Sequence, residues 1–267
     1  MKPGYRTDGS SHHNGVKNEH ATVGHLNSNT DSNIRKFFEE ANGSKDIRFV
    51  HKGGTRTKTD IQVVHEDNLF EGKVIEESKV LANISVKNHK SGTFDLHNGG
   101  RKDYPLSQQK KVKEEITKVK EEGLHGAKNK TEVLFCSLLD DQNAFDSDFI
   151  RNFIKKIFDV YPEYIHINLC KKKKYVLMNK FDTDLFKLTN DEDVKFFLLK
   201  PSMGATTSRQ IAFQNGDNVV LTGLRLRLQL NNSISALFTR GSSPCIKLQL
   251  DKVDELIENA HKIIETY

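Results

Sequence analysis

The sequence is poor in cysteine and has no long apolar segment. Its three cysteines, Cys136, Cys170 and Cys245, lie far apart among 267 residues, which excludes a disulfide-stapled scaffold and is typical of free thiols in a reducing compartment. No apolar run approaches the roughly 18 residues that cross a bilayer, and the polar start lacks the apolar core of a signal peptide. We therefore expect a cytoplasmic protein that does not contact a membrane.

The overall charge points to an anionic partner without identifying it. The formal net charge is +5 and the pI is about 8.9, which favours nucleic acids or other anions as partners. The length of 267 residues suffices for a sizeable core in one domain or two small ones, and we expect a single domain over residues 1–267. Residues 1–14 are rich in Gly, Ser and His, and we expect them to be poorly ordered.

Apolar spacing predicts five helices and seven strands. The expected helices are a weak one over Gly15–Leu26, one from Asp31 or Ser32 to Asn42-Gly43, a surface helix over Leu106–Glu122, one from Asp146 or Ser147 to Pro162, and a C-terminal one over Val253–Ile264. The expected strands are Ile47–Val50, Asp60–His65, Lys79–Lys87, a buried central strand over Thr131–Leu139, Tyr175–Asn179, Val219–Leu230 and Ile246–Leu250. An acidic loop or distorted hairpin is expected over Glu66–Glu77. These elements predict an α/β fold with a mixed sheet.

One acidic residue and one lysine stand at neighbouring strand ends. Asp60 opens a predicted strand, and Lys87 ends the next one along the chain. Ser85 lies on the same face as Lys87, because side chains alternate along a strand. Hydrolysis of a phosphodiester bond requires a carboxylate that holds Mg²⁺ and a group, such as a lysine, that orients the nucleophile or offsets developing charge.

Residues 53–92 resemble the PD-(D/E)XK nuclease superfamily, particularly type II restriction endonucleases that cut four-base-pair sites. The resemblance lies in the stretch Gly-Gly-Thr-Arg-Thr-Lys-Thr-Asp at 53–60 and in Ile-Ser-Val-Lys at 84–87, with a weaker similarity over 230–237 and 246–251. It implies a restriction-endonuclease-like mixed central sheet flanked by helices, Mg²⁺-dependent hydrolysis and double-stranded DNA as substrate. It matches Asp60 to the metal-binding aspartate and Lys87 to the catalytic lysine. A cognate DNA methyltransferase is the implied functional partner, and the protein would be a monomer or a homodimer.

The chain departs from the superfamily pattern at Ser85, where an Asp or Glu is usual. A hydroxyl would hold a metal-bound water rather than the metal itself, which leaves the second metal-binding carboxylate open. Glu19 is the first candidate, because related enzymes carry an acidic residue in the first helix, and Asp95 and Glu71 come next. The alternative is that Lys87 reaches solvent, as most lysines do, and that Asp60 caps a turn.

Several basic and polar residues are candidates for contacts with DNA. Arg225, Arg227 and Gln229 project from one face of a predicted strand, where they either meet phosphates and base edges or form the wet outer face of a sheet. Residues 200–267 form the candidate recognition portion. The remaining candidates are Lys58, Lys90, Arg209, Asn231, Asn232 and Arg240. Lys171–Lys174 is more typical of a solvated turn, and His12, His13, His20 and His25 match no structural zinc pattern.

Two other functions stay open at this point. The first is a DNA-repair or viral nuclease that has the same core and little sequence preference. The second is a catalytically silent DNA-binding module, which the serine at position 85 keeps open.

Overall fold

The computed structural model describes residues 10–53, 58–89, 94–122, 132, 135–200, 207–229, 244–250 and 262–266. The chain divides into two compact units. The first comprises Met1–Ser91, Asp159–Thr183 and Ala260–Tyr267, and the second comprises Gly92–Phe158 and Asp184–Asn259. The candidate recognition portion, residues 200–267, is therefore split between both units. In the described part of the chain, no helix has the length and apolar character needed to span a membrane.

The helices and strands are numbered along the chain. The helices are α1 (Ser10–Ser28), α2 (Asn33–Asn42), α3 (Leu106–Glu121), α4 (Ser147–Val160) and α5 (Asp184–Asn190). The strands are β1 (Ile47–His51), β2 (Ile61–His65), β3 (Leu69–Phe70), β4 (Lys73–Val74), β5 (Ala82–His89), β6 (Phe94–Gly99), β7 (Tyr164–Leu169), β8 (Lys174–Asn179), β9 (Phe196–Leu199), β10 (Arg209–Asn215), β11 (Asn218–Gln229), β12 (Cys245–Leu250) and β13 (Lys262–Thr266).

The first unit is built on a six-stranded sheet in the order β1-β2-β5-β7-β8-β13. Strands β5 and β7 run parallel, and the other neighbours are antiparallel. The predicted α/β fold with a mixed sheet is thereby confirmed. The expected acidic hairpin is also present, as the two-stranded β3–β4 pair.

Helices α1 and α2 cover one face of this sheet. Leu26 of α1 and Phe38 of α2 are fully buried against Phe49, Ile61 and Ile84, because apolar residues recur along both helices and alternate along the strands. Helix α1 starts earlier than predicted, since residues 10–14 are helical and contain no proline or glycine to interrupt a helix.

The ends of α2 follow the sequence closely. The Ser32 hydroxyl accepts a hydrogen bond from the Arg35 backbone N–H at 3.2 Å, which satisfies one of the free donors at the helix start. Gly43 ends the helix at a positive φ of 63°, a conformation that glycine adopts without a Cβ clash. The predicted cap and stop are both confirmed.

The C-terminal helix prediction is wrong where the structure describes it. Residues 262–266 form β13, which pairs antiparallel with β8, and residues 251–261 lie outside the described residues. Ile263 is partly buried against the core and Ile264 is exposed, so burial alternates as in a half-buried strand. Both residues are β-branched, which favours a pleated strand over a helix.

The second unit contains an antiparallel sheet in the order β6-β12-β11-β10-β9. Leu224, Leu226 and Leu228 of β11 are buried, as the strict alternation predicts. The predicted central strand over Thr131–Leu139 is wrong, because Glu132 and residues 135–137 are helical and Leu138–Asp140 is a 3₁₀ turn. A short apolar run does not distinguish a buried strand from a buried helix.

Candidate active site

Backbone hydrogen bonds hold Asp60 between two neighbouring strands. It lies just before β2, its N–H donates to the Ile84 carbonyl at 2.9 Å, and its carbonyl accepts from the Lys52 N–H at 2.9 Å. The side chain is fixed as well, since Oδ2 accepts from the Val86 N–H at 2.7 Å and from the Ser85 hydroxyl at 3.1 Å. Two hydrogen bonds therefore fix the carboxylate against β5 and two more hold the backbone, and Asp60 does not cap a turn.

Asp60, Ser85 and Lys87 lie on the same face of the sheet. The register pairs Gln62 with Asn83, and the Gln62 amide donates to the Asn83 side-chain oxygen at 3.2 Å. Residues two positions apart in a strand share a face, so Asp60 lies on the face of Gln62, while Ser85 and Lys87 lie on the face of Asn83. The two strands thus present the acid and the amine to the same side.

The pKa of Asp60 is raised because the side chain is partly desolvated and lies near other charged groups. Burial raises the pKa of Asp60 above its usual value, and the nearby Glu19 carboxylate raises it further. The Val86 N–H, the Lys87 ammonium and the Ser85 hydroxyl lower the pKa but do not cancel the rise. A carboxylate whose ionisation is opposed by burial and by a second acid is stabilised by a cation placed near it.

The pKa of Lys87 is shifted in the opposite direction, below its usual value. Burial lowers the pKa of Lys87, and the positive charge of Lys58 lowers it further, while Asp60 and Glu19 raise it. The charges of Asp60, Glu19 and Lys58 therefore all act on Lys87. The sequence predicted Glu19, Asp60 and Lys87 as one site, and the structure brings these three residues within electrostatic reach.

Glu19 is held by a histidine that the sequence did not single out. Nε2 of His51 lies 2.7 Å from Oε2 of Glu19, and the ring of His20 packs on the ring of His51 with 4.1 Å between centroids. Gly53 has a positive φ of 59°, and a Cβ there would lie 2.9 Å from Cε1 of His51. The first glycine of the Gly-Gly motif therefore leaves room for this ring.

Two lysines share the face of one aromatic ring. The Nζ atoms of Lys87 and Lys58 lie 5.4 and 5.6 Å from the ring centroid of Tyr161, within the range of cation–π attraction. Tyr161 is 3% exposed and lies between α4 and β7. No sequence signal marked Tyr161, because it lies about 75 residues from Lys87 in the chain and is brought close only by the parallel pairing of β5 and β7.

The acidic residues that are present suit Mg²⁺. Among the described residues, Oδ1 of Asp60 and Oε1 of Glu19 have no hydrogen-bond partner, so each carboxylate has one oxygen available. The same described residues contain no group of three His, Cys, Asp or Glu side chains placed to hold a metal. Mg²⁺ typically binds through one or two carboxylates and keeps several waters, which fits this donor set better than zinc does.

The other two candidates for the second acid lie elsewhere. Asp95 accepts hydrogen bonds from Lys247 at 2.6 Å and Gln249 at 2.7 Å within the second unit. Glu71 lies in the turn between β3 and β4, at a positive φ of 48°. Glu19 is the acid whose charge acts on Asp60, so it is the best supported of the three.

The predicted DNA-binding residues of the second unit have partners inside that unit. Arg209 is 5% exposed and binds both oxygens of Asp140, at 2.5 and 3.0 Å. Arg227 donates to Glu132 at 2.9 Å. Arg225 and Gln229 are half-buried on β11. The ion pairs account for Arg209 and Arg227 without a nucleic acid. The candidates Lys90, Asn231, Asn232 and Arg240 lie outside the described residues.

Comparison with known proteins does not assign the chain to a family. A search of protein-family models finds no match, and a search of curated proteins finds none either. The geometry of the first unit therefore carries the functional argument by itself.

Proposed function

We propose that this protein is a Mg²⁺-dependent DNA endonuclease of the type II restriction class, acting on double-stranded DNA in the cytoplasm. The observation that carries the proposal is the convergence of Asp60 and Lys87 on one face of the sheet, with Glu19 in electrostatic reach. A cognate DNA methyltransferase would protect the host genome, and the enzyme would act as a monomer or a homodimer.

Each residue of the site has a role that its contacts support. Asp60 and Glu19 would hold the ion through the oxygens that other residues do not use, and Ser85 fixes the Asp60 carboxylate by a hydrogen bond of 3.1 Å. When bound, Mg²⁺ supplies a Lewis acid for the phosphate and lowers the pKa of a water. Lys87 would hold the attacking water or offset the charge that develops on the phosphate.

The first experiment is incubation of the purified protein with a defined plasmid, with and without Mg²⁺. Discrete fragments that need Mg²⁺ support a restriction endonuclease. A smear supports the nuclease of low sequence preference, and binding without any cleavage supports the catalytically silent DNA-binding module. Plasmid from a host that expresses a matching methyltransferase would resist a restriction enzyme and would still be cut by a general nuclease.

The variant Lys87→Ala tests the centre of the proposal. We expect it to lose Mg²⁺-dependent cleavage by about 10²–10³-fold, as for removal of a group that stabilises transition-state charge, while it still binds DNA in Ca²⁺. Lys45→Ala, at an exposed loop position before β1, is the matched control and should cleave like the wild type. Cleavage retained by Lys87→Ala would remove Lys87 from the mechanism.

A further inference from the structure

The longest run of lysines in the chain forms the turn between β7 and β8. The side chains of Lys171–Lys174 are all exposed, and the sequence contains no acidic residue between Glu163 and Asp182. Like charges grouped so closely create a local positive potential that attracts anions. The sequence pattern alone is typical of a solvated turn, but the strand register gives this turn a position beside the candidate active site.

The register brings the lysine turn to the end of the sheet that carries Lys87. Strands β5 and β7 pair in parallel with His89 opposite Leu169, and Leu169 is in turn opposite Lys174 of β8. Because parallel strands end at the same edge of a sheet, the turn that follows β7 emerges beside the end of β5. Asp60 lies at this end as well, since β2 runs antiparallel to β5 and begins just after Asp60.

Lys174 also lies on the same face of the sheet as Lys87. The register pairs Lys87 with Ile167, and Ile167 with Val176. Paired residues share a face, and so do residues two positions apart in one strand, which places Lys174 on the Lys87 face. Two strand spacings of about 4.8 Å and two residue rises of about 3.3 Å put their Cα atoms about 12 Å apart.

Acidic side chains do not neutralise this turn within the described part of the first unit. There, Lys171, Lys173 and Lys174 form no ion pair. The acid on the neighbouring strand β13 is Glu265, which is buried and already accepts from the Ser32 hydroxyl at 2.5 Å. Three other exposed lysines of the same unit each pair with an acid, namely Lys36, Lys52 and Lys79.

The backbone of duplex DNA fits this arrangement of charges. Each strand carries one phosphate per about 3.4 Å of helix axis, so a separation of about 12 Å corresponds to three or four base-pair steps. Lysine meets phosphate as a flexible point charge and needs no fixed geometry. The position of Lys174 on the face of Lys87 favours an extended polyanion that reaches both, whereas a membrane surface would require the exposed lysines alone.

We propose that Lys171–Lys174 bind the phosphate backbone of the DNA substrate about three or four base pairs from the phosphate that is cut. The choice of DNA as the ligand rests on the proposed function. The contact raises the affinity for a duplex of any sequence and guides the scissile phosphate toward Asp60 and Lys87. The four lysines have no part in the chemical step.

The test measures the affinity of the full-length protein for a short DNA duplex at several salt concentrations, without divalent ions. The double variant Lys171→Gln/Lys174→Gln should lower the slope of log affinity against log salt by about 2, since each lost phosphate contact removes about 0.9. The affinity advantage of the wild type should therefore shrink about tenfold between about 50 and 200 mM salt. Lys173 is left unchanged because its backbone has a positive φ of 47°.

The loss should be the same for duplexes of unrelated sequence, because contacts with phosphate carry no sequence information. A slope equal to that of the wild type would overturn the inference. So would a loss of affinity confined to one DNA sequence, which would indicate contacts with base edges instead.

The double variant Lys45→Gln/Lys73→Gln is the charge-matched control. Both lysines are exposed and form no ion pair with a described residue. Lys45 precedes β1 and Lys73 lies in β4, beyond the end of β2 that is opposite to Asp60. Its slope should equal that of the wild type. If both double variants lowered the slope equally, net charge would explain the effect and the inference would be overturned.

Vesicles that contain phosphatidylserine distinguish a second anionic partner. Loss of vesicle binding in Lys171→Gln/Lys174→Gln, with an unchanged salt dependence of DNA binding, would assign the turn to a membrane surface and overturn the inference.

The plasmid assay separates this inference from the proposed function. A wild-type protein that binds the duplex through these lysines but cuts no plasmid in Mg²⁺ would retain the phosphate contact and reject the nuclease. A wild-type protein that cuts the plasmid, together with an unchanged salt slope in Lys171→Gln/Lys174→Gln, would retain the nuclease and reject the contact.

Discussion

Buried charges are paired in both units, Arg35 with Glu39 in the first among them, but Lys87 of the first unit is an exception. In the second unit, Arg209 is paired with Asp140 through two hydrogen bonds, and Lys247 is paired with Asp95 at 2.6 Å. In the first unit, Lys87 forms no ion pair with any described residue, although it is deeply enough buried for its pKa to fall. The paired charges of the second unit neutralise each other within the fold.

The difference distinguishes scaffold from site. A buried charge without a direct partner costs folding free energy, because desolvation is not offset by a hydrogen-bonded counter-ion. Such an arrangement persists where binding or catalysis uses it, and perturbed pKa values cluster at functional sites for this reason. We therefore expect the charges around Lys87 to serve function and the paired charges of the second unit to serve stability.

The largest expected effect is that of Asp60→Asn, which removes a charge and keeps the shape of the side chain. We expect cleavage to fall about 10³-fold, since the amide is a poor ligand for Mg²⁺. We also expect the variant to be more stable than the wild type at pH 7. Plasmid cleavage and thermal unfolding measure the two effects.

The gain in stability should depend on pH in a defined direction. Burial raises the folded-state pKa of Asp60 above its usual value of 3.8, so the folded protein holds this proton more tightly than the unfolded chain does. The contribution of protonated Asp60 to the free energy of unfolding is fully present below the unfolded-state pKa. It is lost as the pH rises through the folded-state pKa. The advantage of Asp60→Asn should therefore shrink on acidification. A variant less stable than the wild type at pH 7 would contradict this account of Asp60.

A buried histidine of the first unit provides the next test. His166 is 1% exposed and neither ring nitrogen has a hydrogen-bond partner among the described residues. Burial lowers the pKa of His166 from 6.5 to about 4, while Glu265 raises it and His25 lowers it. Because the unfolded chain binds this proton more readily, His166 reduces stability as the pH falls from about 6.5 to about 4, by about 3 kcal/mol.

His166→Leu should remove this pH dependence. We expect the variant to gain stability relative to the wild type between pH 6.5 and pH 4 and to match it more closely above pH 7, as measured by urea unfolding at several pH values. His65→Leu, at the half-buried end of β2, serves as the comparison. An unchanged slope in His166→Leu would show that other groups set the acid sensitivity.

In the second unit, Arg209→Ala should act on stability. Removal of the guanidinium takes two hydrogen bonds from Asp140, which is about one-third exposed and keeps Lys200 as a partner, and we expect a loss of about 2 kcal/mol in the free energy of unfolding. The control is Arg48→Ala, whose pair with Glu66 is exposed on both sides and should contribute less than about 1 kcal/mol. If Arg209→Ala instead weakens DNA binding and leaves unfolding unchanged, its predicted contact with DNA would regain support.

The sequence predicted those parts of the molecule that depend on local pattern. The cap at Ser32, the stop at Gly43 and the alternating strand β11 follow from side-chain spacing and backbone preference. Asp60 and Lys87 could be placed together because an antiparallel register between adjacent strands fixes the shared face.

What the sequence did not predict depends on long-range contacts or on short, ambiguous runs. Tyr161 reaches Lys87 through the parallel pairing of β5 and β7, which no local pattern encodes. The apolar stretch at 131–139 is compatible with a buried strand and with a buried helix. Strand β13 is fixed by its pairing with β8 and by Glu265, which accepts from the Ser32 hydroxyl at 2.5 Å.

The smallest expected effect concerns His51, which we propose positions Glu19 through the contact of 2.7 Å. Residues that orient a metal-binding carboxylate typically change metal affinity or activity by about 10–100-fold. His51→Phe keeps a ring and removes the donor, so the Mg²⁺ concentration for half-maximal cleavage should rise about tenfold, while the rate at saturating Mg²⁺ changes little.

His51→Gln restores a donor, so its Mg²⁺ concentration for half-maximal cleavage should lie closer to that of the wild type. His20→Gln alters only the ring packed on His51, and it should leave the Mg²⁺ dependence unchanged. If the three variants all showed the same Mg²⁺ dependence, Glu19 would not need His51 to position it. A loss of rate in His51→Phe that saturating Mg²⁺ fails to restore would instead place His51 at the reacting atoms.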